Sequence, residues 1–148
     1  MSHYTRFFAM ILTSTVVMFV AMYFNTYAFD HVYFSETRAW MALYMGALMM
    51  AVMLAFMWGM YPSRTANIAI TAGAAVLFAV GLWGVRSQQT VDQVDWMQAM
   101  IPHHSIAILT SERARITDPR VRELADGIIS TQRKEIAEMQ ALIAELKE

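Results

Sequence analysis

The chain has 148 residues, a hydrophobic fraction of 57% and a formal net charge of −1, which leaves no basic surface for a nucleic-acid partner. It has no cysteine, which excludes disulfides and thiolate metal sites. Its 14 methionines carry soft thioether sulfurs that serve either adaptable packing or soft-metal chemistry.

Residues 1–86 hold only Arg6, Arg38, Arg64, Arg86, Asp30 and Glu36 as charged groups, so an apolar part precedes a polar one. The apolar part predicts three membrane spans, at 7–29, 39–61 and 65–85. Each run is long enough for the roughly 20 residues that cross a hydrocarbon core. The first is too long for the apolar segment of a secretory signal, and two spans follow it, so it reads as an anchor. Tyr4, Tyr23, Tyr27, Tyr33, Trp40, Tyr61 and Trp83 lie near the span ends, as an aromatic belt would.

The first link carries Asp30, His31 and Glu36 and reads as an interfacial polar loop, with a second metal site as the weaker alternative. On the second span Met41, Met45, Met49, Met53 and Met57 recur every four residues. That stripe reads first as helix packing; the alternative is a soft-metal relay through Met45, Met49 and Met53. Ala69, Gly73 and Gly81 predict close packing of the third span. The arginines divide evenly between the two sides, and the acidic first link favours an inside N-terminus.

The polar part predicts two helices, 91–116 and 119–147, with Asp118 as N-cap and Pro119 at the first position of the second. The domains are therefore a membrane anchor, 1–88, and an antiparallel helical hairpin, 89–148. At about 100° per residue, Trp96, Met97, Met100, Ile101, His103 and His104 share a broad face of the first polar helix. Pro102 removes a backbone N–H beside the histidines and predicts a kink or a freed carbonyl. The second polar helix has an apolar stripe from Val121 to Leu146, interrupted by Gln132 and Glu135. Folding the hairpin about Thr117–Asp118 with equal rise puts 103 opposite 132 and 100 opposite 135, to within about one helical turn.

His103, His104, Met97, Met100, Glu135 and Met139 then form one composite cluster, with Gln132, Pro102 and Trp96 around it. Mixed imidazole and thioether donors suit copper, above all Cu(I), or Ag(I). The alternative is a polar core patch in which histidine bonds Glu135 or Gln132 and methionine fills space. A di-metal oxidoreductase needs several carboxylates and E-x-x-H pairs, which this hairpin lacks, so an enzyme is not expected.

Met100-Ile101-Pro102-His103-His104, Ala107-Ile108, and then Gln132, Glu135-Ile136 and Met139 resemble the domain-of-unknown-function family 305 over about 91–143. Trp96 stands in for the family's aromatic before the Met, and Leu109 replaces a Met that many members carry. The three-span anchor resembles one membrane-bound branch. The resemblance implies a ferritin-like helical domain on the periplasmic face of a bacterial inner membrane, associated with copper or silver.

The expectation is an all-α protein: three transmembrane helices, then a hairpin outside the membrane that binds copper for buffering or handover. Apolar residues off the main face, such as Ile106, Leu109 and Ile116, make the hairpin half of a four-helix bundle. A second copy, the lipid bilayer and a metal ion are the expected partners. The competing reading is a structural or oligomerisation module without physiological metal.

Overall fold

A charge-free run in lipid must satisfy its own backbone, and a helix does so within one segment. The computed structural model describes residues 2–147; Met1 and Glu148, the outer ends of the two expected domains, lie outside the described residues. Regular structure among the described residues is all helical: α1 (His3–Ala21), α2 (Glu36–Phe56), α3 (Arg64–Ser87), α4 (Gln93–Arg113) and α5 (Pro119–Leu146), with 3-10 turns at Phe29–His31 and Trp58–Met60. The first three are long and apolar enough to cross a membrane. Contacts group the residues up to Met22 with Thr37–Thr90 as one unit, and Tyr23–Glu36 with α4 and α5 as another. The first link thus belongs with the hairpin.

The span ends differ from those read from charge alone. α1 begins four residues early, because the Ser2 hydroxyl accepts from the Thr5 N–H, and ends eight residues early. Its closing carbonyl, on Met22, accepts from the Arg38 guanidinium at 2.6 Å, and the chain then turns through Thr26 N–H to the Tyr23 carbonyl. α2 begins at Glu36, where a carboxylate suits the positive end of the helix dipole, and stops before the 3-10 turn that contains Gly59. α3 is capped by the Ser63 hydroxyl, which accepts from Ala66 N–H. It ends at Gln88, whose left-handed backbone (φ 52°) terminates the helix while its side-chain amide bonds the Val85 carbonyl.

Inside the first unit the core is Phe7, Ile11, Leu54 and Tyr61, with Met49, Met53 and Met57 packed against it. Those methionines act as packing in this structure. The Tyr4 hydroxyl accepts from Ser63 N–H and donates to the Asn67 amide oxygen at 2.9 Å, and the Asn67 amide donates to the Tyr61 carbonyl. A buried asparagine is thereby satisfied, and α1 is tied to the α2–α3 connection. Small residues bring α2 and α3 together at Gly81, as expected, and at Gly84, but not at Ala69 or Gly73. A Cβ on Gly81 would meet the Tyr44 backbone at 2.9 Å, and one on Gly84 would meet the Trp40 ring at 2.5 Å. Gly73 faces open space and Ala69 is exposed.

In the second unit α4 is shorter than 91–116. Asp92 caps it by accepting from Val94 and Asp95 N–H at 2.8 Å each, and it stops where Ala114 turns extended (ψ 136°). It runs unbroken through the buried Pro102. The core joining α4 to α5 is Met97, Ile101, Ile108, Ile136, Met139 and Ile143. Between α4 and α5, Ala114 and Asp118 are extended and the Ile116 N–H bonds the Ala114 carbonyl in a tight turn. Val121 and Leu124 at the start of α5 are exposed, Leu124 at 64%. The Asp118 carboxylate caps α5 by accepting from Arg120 N–H, and Pro119 opens the helix. The Arg120 guanidinium also binds that carboxylate and holds its pKa below the usual value.

Two outcomes follow. Gly84→Ala forces the Trp40 ring to move and should cost about 1–3 kcal/mol of overpacking, whereas Gly73→Ala should be neutral, read as thermal unfolding in detergent. The depressed Asp118 pKa contributes stability at pH values above the unfolded carboxyl's, and that contribution is lost as pH falls through the folded value. Asp118→Ala should therefore lower helix content at neutral pH and lose this acid dependence, measured by circular dichroism.

Candidate metal site at the hairpin

The spacing of α4 assigns its residues to two faces. Met97, Ile101, His104 and Ile108 recur at three or four residues and point at α5. Trp96 and His103 are seven apart and fall on the flank, where both are exposed. The broad face expected from the sequence is therefore narrower: His104 is turned inward and its neighbour outward, their ring centroids 6.1 Å apart with a T-shaped tilt.

His104 is held at both nitrogens. Nδ1 lies 3.0 Å from the Met100 carbonyl oxygen, and Nε2 lies 2.8 Å from Glu135 Oε2. A carbonyl only accepts, so Nδ1 carries a proton and donates it. One further proton lies between Nε2 and the carboxylate. The imidazole side chain is 17% exposed and the carboxylate 46%, so the pair contributes about 1 kcal/mol or less to stability.

Met100 flanks the pair, half-buried against the hairpin core. Met97 lies seven residues before His104 on α4, and Met139 four residues after Glu135 on α5; both sulfurs belong to the buried core. Gln132 is half-buried one turn before Ile136. Glu135 meets His104, one turn along α4 from the position that equal rise placed opposite it. The membrane-unit methionines Met45, Met49 and Met53 belong to the other unit.

Among the described residues no three His, Cys, Asp or Glu side chains come together, so a site built only of hard and imidazole donors is not assembled here. The polar groups that meet are one imidazole and one carboxylate, with Met97 and Met139 in the adjoining core and Met100 packed against it. Nδ1–H on a carbonyl fixes the ring's orientation and leaves Nε2 as the atom free to coordinate, the usual support of a metal-ligating histidine.

Ser105, the next residue, is fully buried on another side of α4 and was not singled out by the sequence pattern. Its hydroxyl oxygen accepts from Tyr27 N–H at 2.7 Å and lies 2.9 Å from His31 Nδ1. His31 thus packs on α4 rather than into a second metal site, and its Nε2 is 4.0 Å from the Asp30 carboxylate. The Gln140 amide donates to the Asp30 carbonyl, and Arg133 joins Glu112 and the Tyr27 ring, so the link is fastened to both hairpin helices. A hydroxyl on an apolar helix was the only sequence signal, since one of its partners is a backbone N–H.

A long-range 1H–15N spectrum of the metal-free protein should show one histidine with a persistent Nδ1 proton. Glu135→Ala should shift the Nε2 resonance of that ring and leave its Nδ1 proton in place. Loss of both signals would mean that the carbonyl does not fix the tautomer.

Residues 86–148 match the family described as Domain of unknown function (DUF305). Over 146 residues the chain is 30% identical to the uncharacterized protein L153 of Acanthamoeba polyphaga mimivirus, an alignment that covers 94% of each protein. No solved structure matches it. The relative spans the apolar helices as well as the hairpin, and the family match covers α4, α5 and their shared site. The chain therefore belongs to the DUF305 family, with that domain following three apolar helices.

Proposed function

We propose that the hairpin binds a soft metal ion and, tethered by the three apolar helices as membrane spans, buffers it or hands it on. Copper is the favoured ion, as Cu(I), with Ag(I) or another transition metal as further candidates. The observation that carries this reading is His104, its Nδ1 tied to a carbonyl and its Nε2 beside a carboxylate, with thioethers on both helices nearby. His104 and Glu135 would hold the ion, with Met100, Met97 and Met139 as soft donors. His103, exposed on the flank, would be the residue through which metal arrives. The proposed location is a bacterial inner membrane with the hairpin on the periplasmic side, as the acidic link and the family resemblance suggest. No enzymatic role is proposed.

An interaction role is favoured by a separate observation. Besides the residues that meet α4, α5 exposes Val121, Leu124, Ile128, Leu142 and Leu146 at helical spacing. A second copy placed on this stripe would complete a four-helix bundle.

Copper(I) titration with a chromophoric competitor tests the metal reading. His104→Ala should abolish the site, and Glu135→Gln should weaken it by about tenfold to a hundredfold, as expected for loss of a residue that supports a ligand. Binding should weaken in acid, because the imidazole must give up its proton to the metal. Equal copper content in wild type and His104→Ala would sink the proposal. For pairing, light scattering in mild detergent should give a dimer or larger in the presence of chelator, and a monomer for Leu124→Glu/Ile128→Glu. A monomeric wild type would exclude it.

A further inference from the structure

The link Tyr23–Glu36 spends most of its polar groups and Tyr33 on the hairpin, and leaves several large apolar side chains outside. Tyr27 N–H, His31 Nδ1 and the Asp30 carbonyl are all used on α4 or α5. Phe24, by contrast, is 83% exposed and Phe29 97%, and Val32 is exposed as well. A phenylalanine has no polar end for water to solvate, and fully exposed rings on a strapped-down segment are contrary to the usual sorting in water. The polarity suits a segment whose outer surroundings are apolar.

Chain continuity names those surroundings. Phe24 is three residues beyond Ala21, the end of α1, and the link runs directly into α2 at Glu36. Both helices are long and apolar enough to cross a membrane, so the link begins and ends where spans leave the hydrocarbon. Fourteen residues fastened to the hairpin through Tyr27, Asp30 and His31 have no slack to carry these rings into bulk water.

We infer that the link is a lipid-seated strap: Phe24, Phe29 and Val32 insert at the headgroup–acyl boundary of the bilayer. The Asp30 carboxylate, 74% exposed beside Phe29, sets a shallow depth by staying among the headgroups. The other face of the strap holds Ser105, the residue after His104. The hairpin would then be docked on lipid as well as tethered through the chain. This rests on the membrane reading of α1 and α2 and is independent of the metal.

The chain has no cysteine, so single nitroxide labels can be placed without background changes. The full-length protein is reconstituted in phosphatidylethanolamine–phosphatidylglycerol vesicles, and labels at Phe29→Cys, Phe24→Cys and Val32→Cys are compared with Glu138→Cys on the exposed side of α5. Collisions with oxygen should exceed those with a water-soluble nickel chelate at the three link positions, with the order reversed at Glu138→Cys. Val32→Cys leaves every phenylalanine in place, so the test survives any effect of removing a ring. Nickel collisions at 29 and 32 equal to those at 138 would overturn the strap, as would a label shielded from both reagents, which indicates a protein cover. Val76→Cys on the exposed side of α3 separates the two levels. A lipid-like label there with a water-like link sinks the strap alone, whereas water at both sinks the membrane reading with it.

Discussion

One turn of α4 is held from two directions, and the organisation of the hairpin depends on it. His104 and Ser105 are adjacent, so they leave the helix about 100° apart. The first bonds Glu135 on α5, and the second bonds the link through Tyr27 N–H and His31. Two helices alone have little core to spend on rigidity. Here the third element is an irregular strap that supplies hydrogen bonds and Tyr33 to the same packing. The imidazole is thereby placed by the helix that carries it, by the carbonyl one turn earlier and by a partner across the interface.

That arrangement explains how a polar cluster persists beside Ile101, Ile108 and Ile136. Each buried ring nitrogen has an acceptor, and the carboxylate keeps about half its surface in solvent, so the desolvation cost stays modest. The methionines lie one layer further in, where they fill the hairpin core. A thioether suits both duties, because it is apolar enough to pack and soft enough to meet a Cu(I)-like ion.

Much of the fold was legible in the sequence because charge is so unevenly distributed. Three charge-free runs imply three apolar helices, and Asp118-Pro119 marks the start of α5. The ends were less legible. Absence of charge does not reveal that Arg38 caps the α1 carbonyls or that the chain turns after Tyr23, because a long-range contact and a backbone hydrogen bond decide those points. The pairing of His104 with the 132–135 region was within reach of helical periodicity, but the exact partner was not, since residues 114–118 are not helical and equal rise does not hold through them. The outward turn of His103 separates two residues that composition treats alike. Ser105 and the strap were hidden for a different reason: their bonds run to a backbone N–H and to residues more than 70 positions away.

The burial of Met97 and Met139 has a consequence for chemical endurance. Both side chains are less than a tenth exposed, in a chain that has no thiol. Oxidants convert exposed methionine to a polar sulfoxide and carry cysteine further, to acids that no longer bind soft metals. A hairpin that keeps Met97 and Met139 inside its own core, with Met100 half-buried at the edge, offers oxidants few sulfur atoms to attack. Sulfoxidation deep enough to reach Met97 or Met139 would first have to open the packing between α4 and α5.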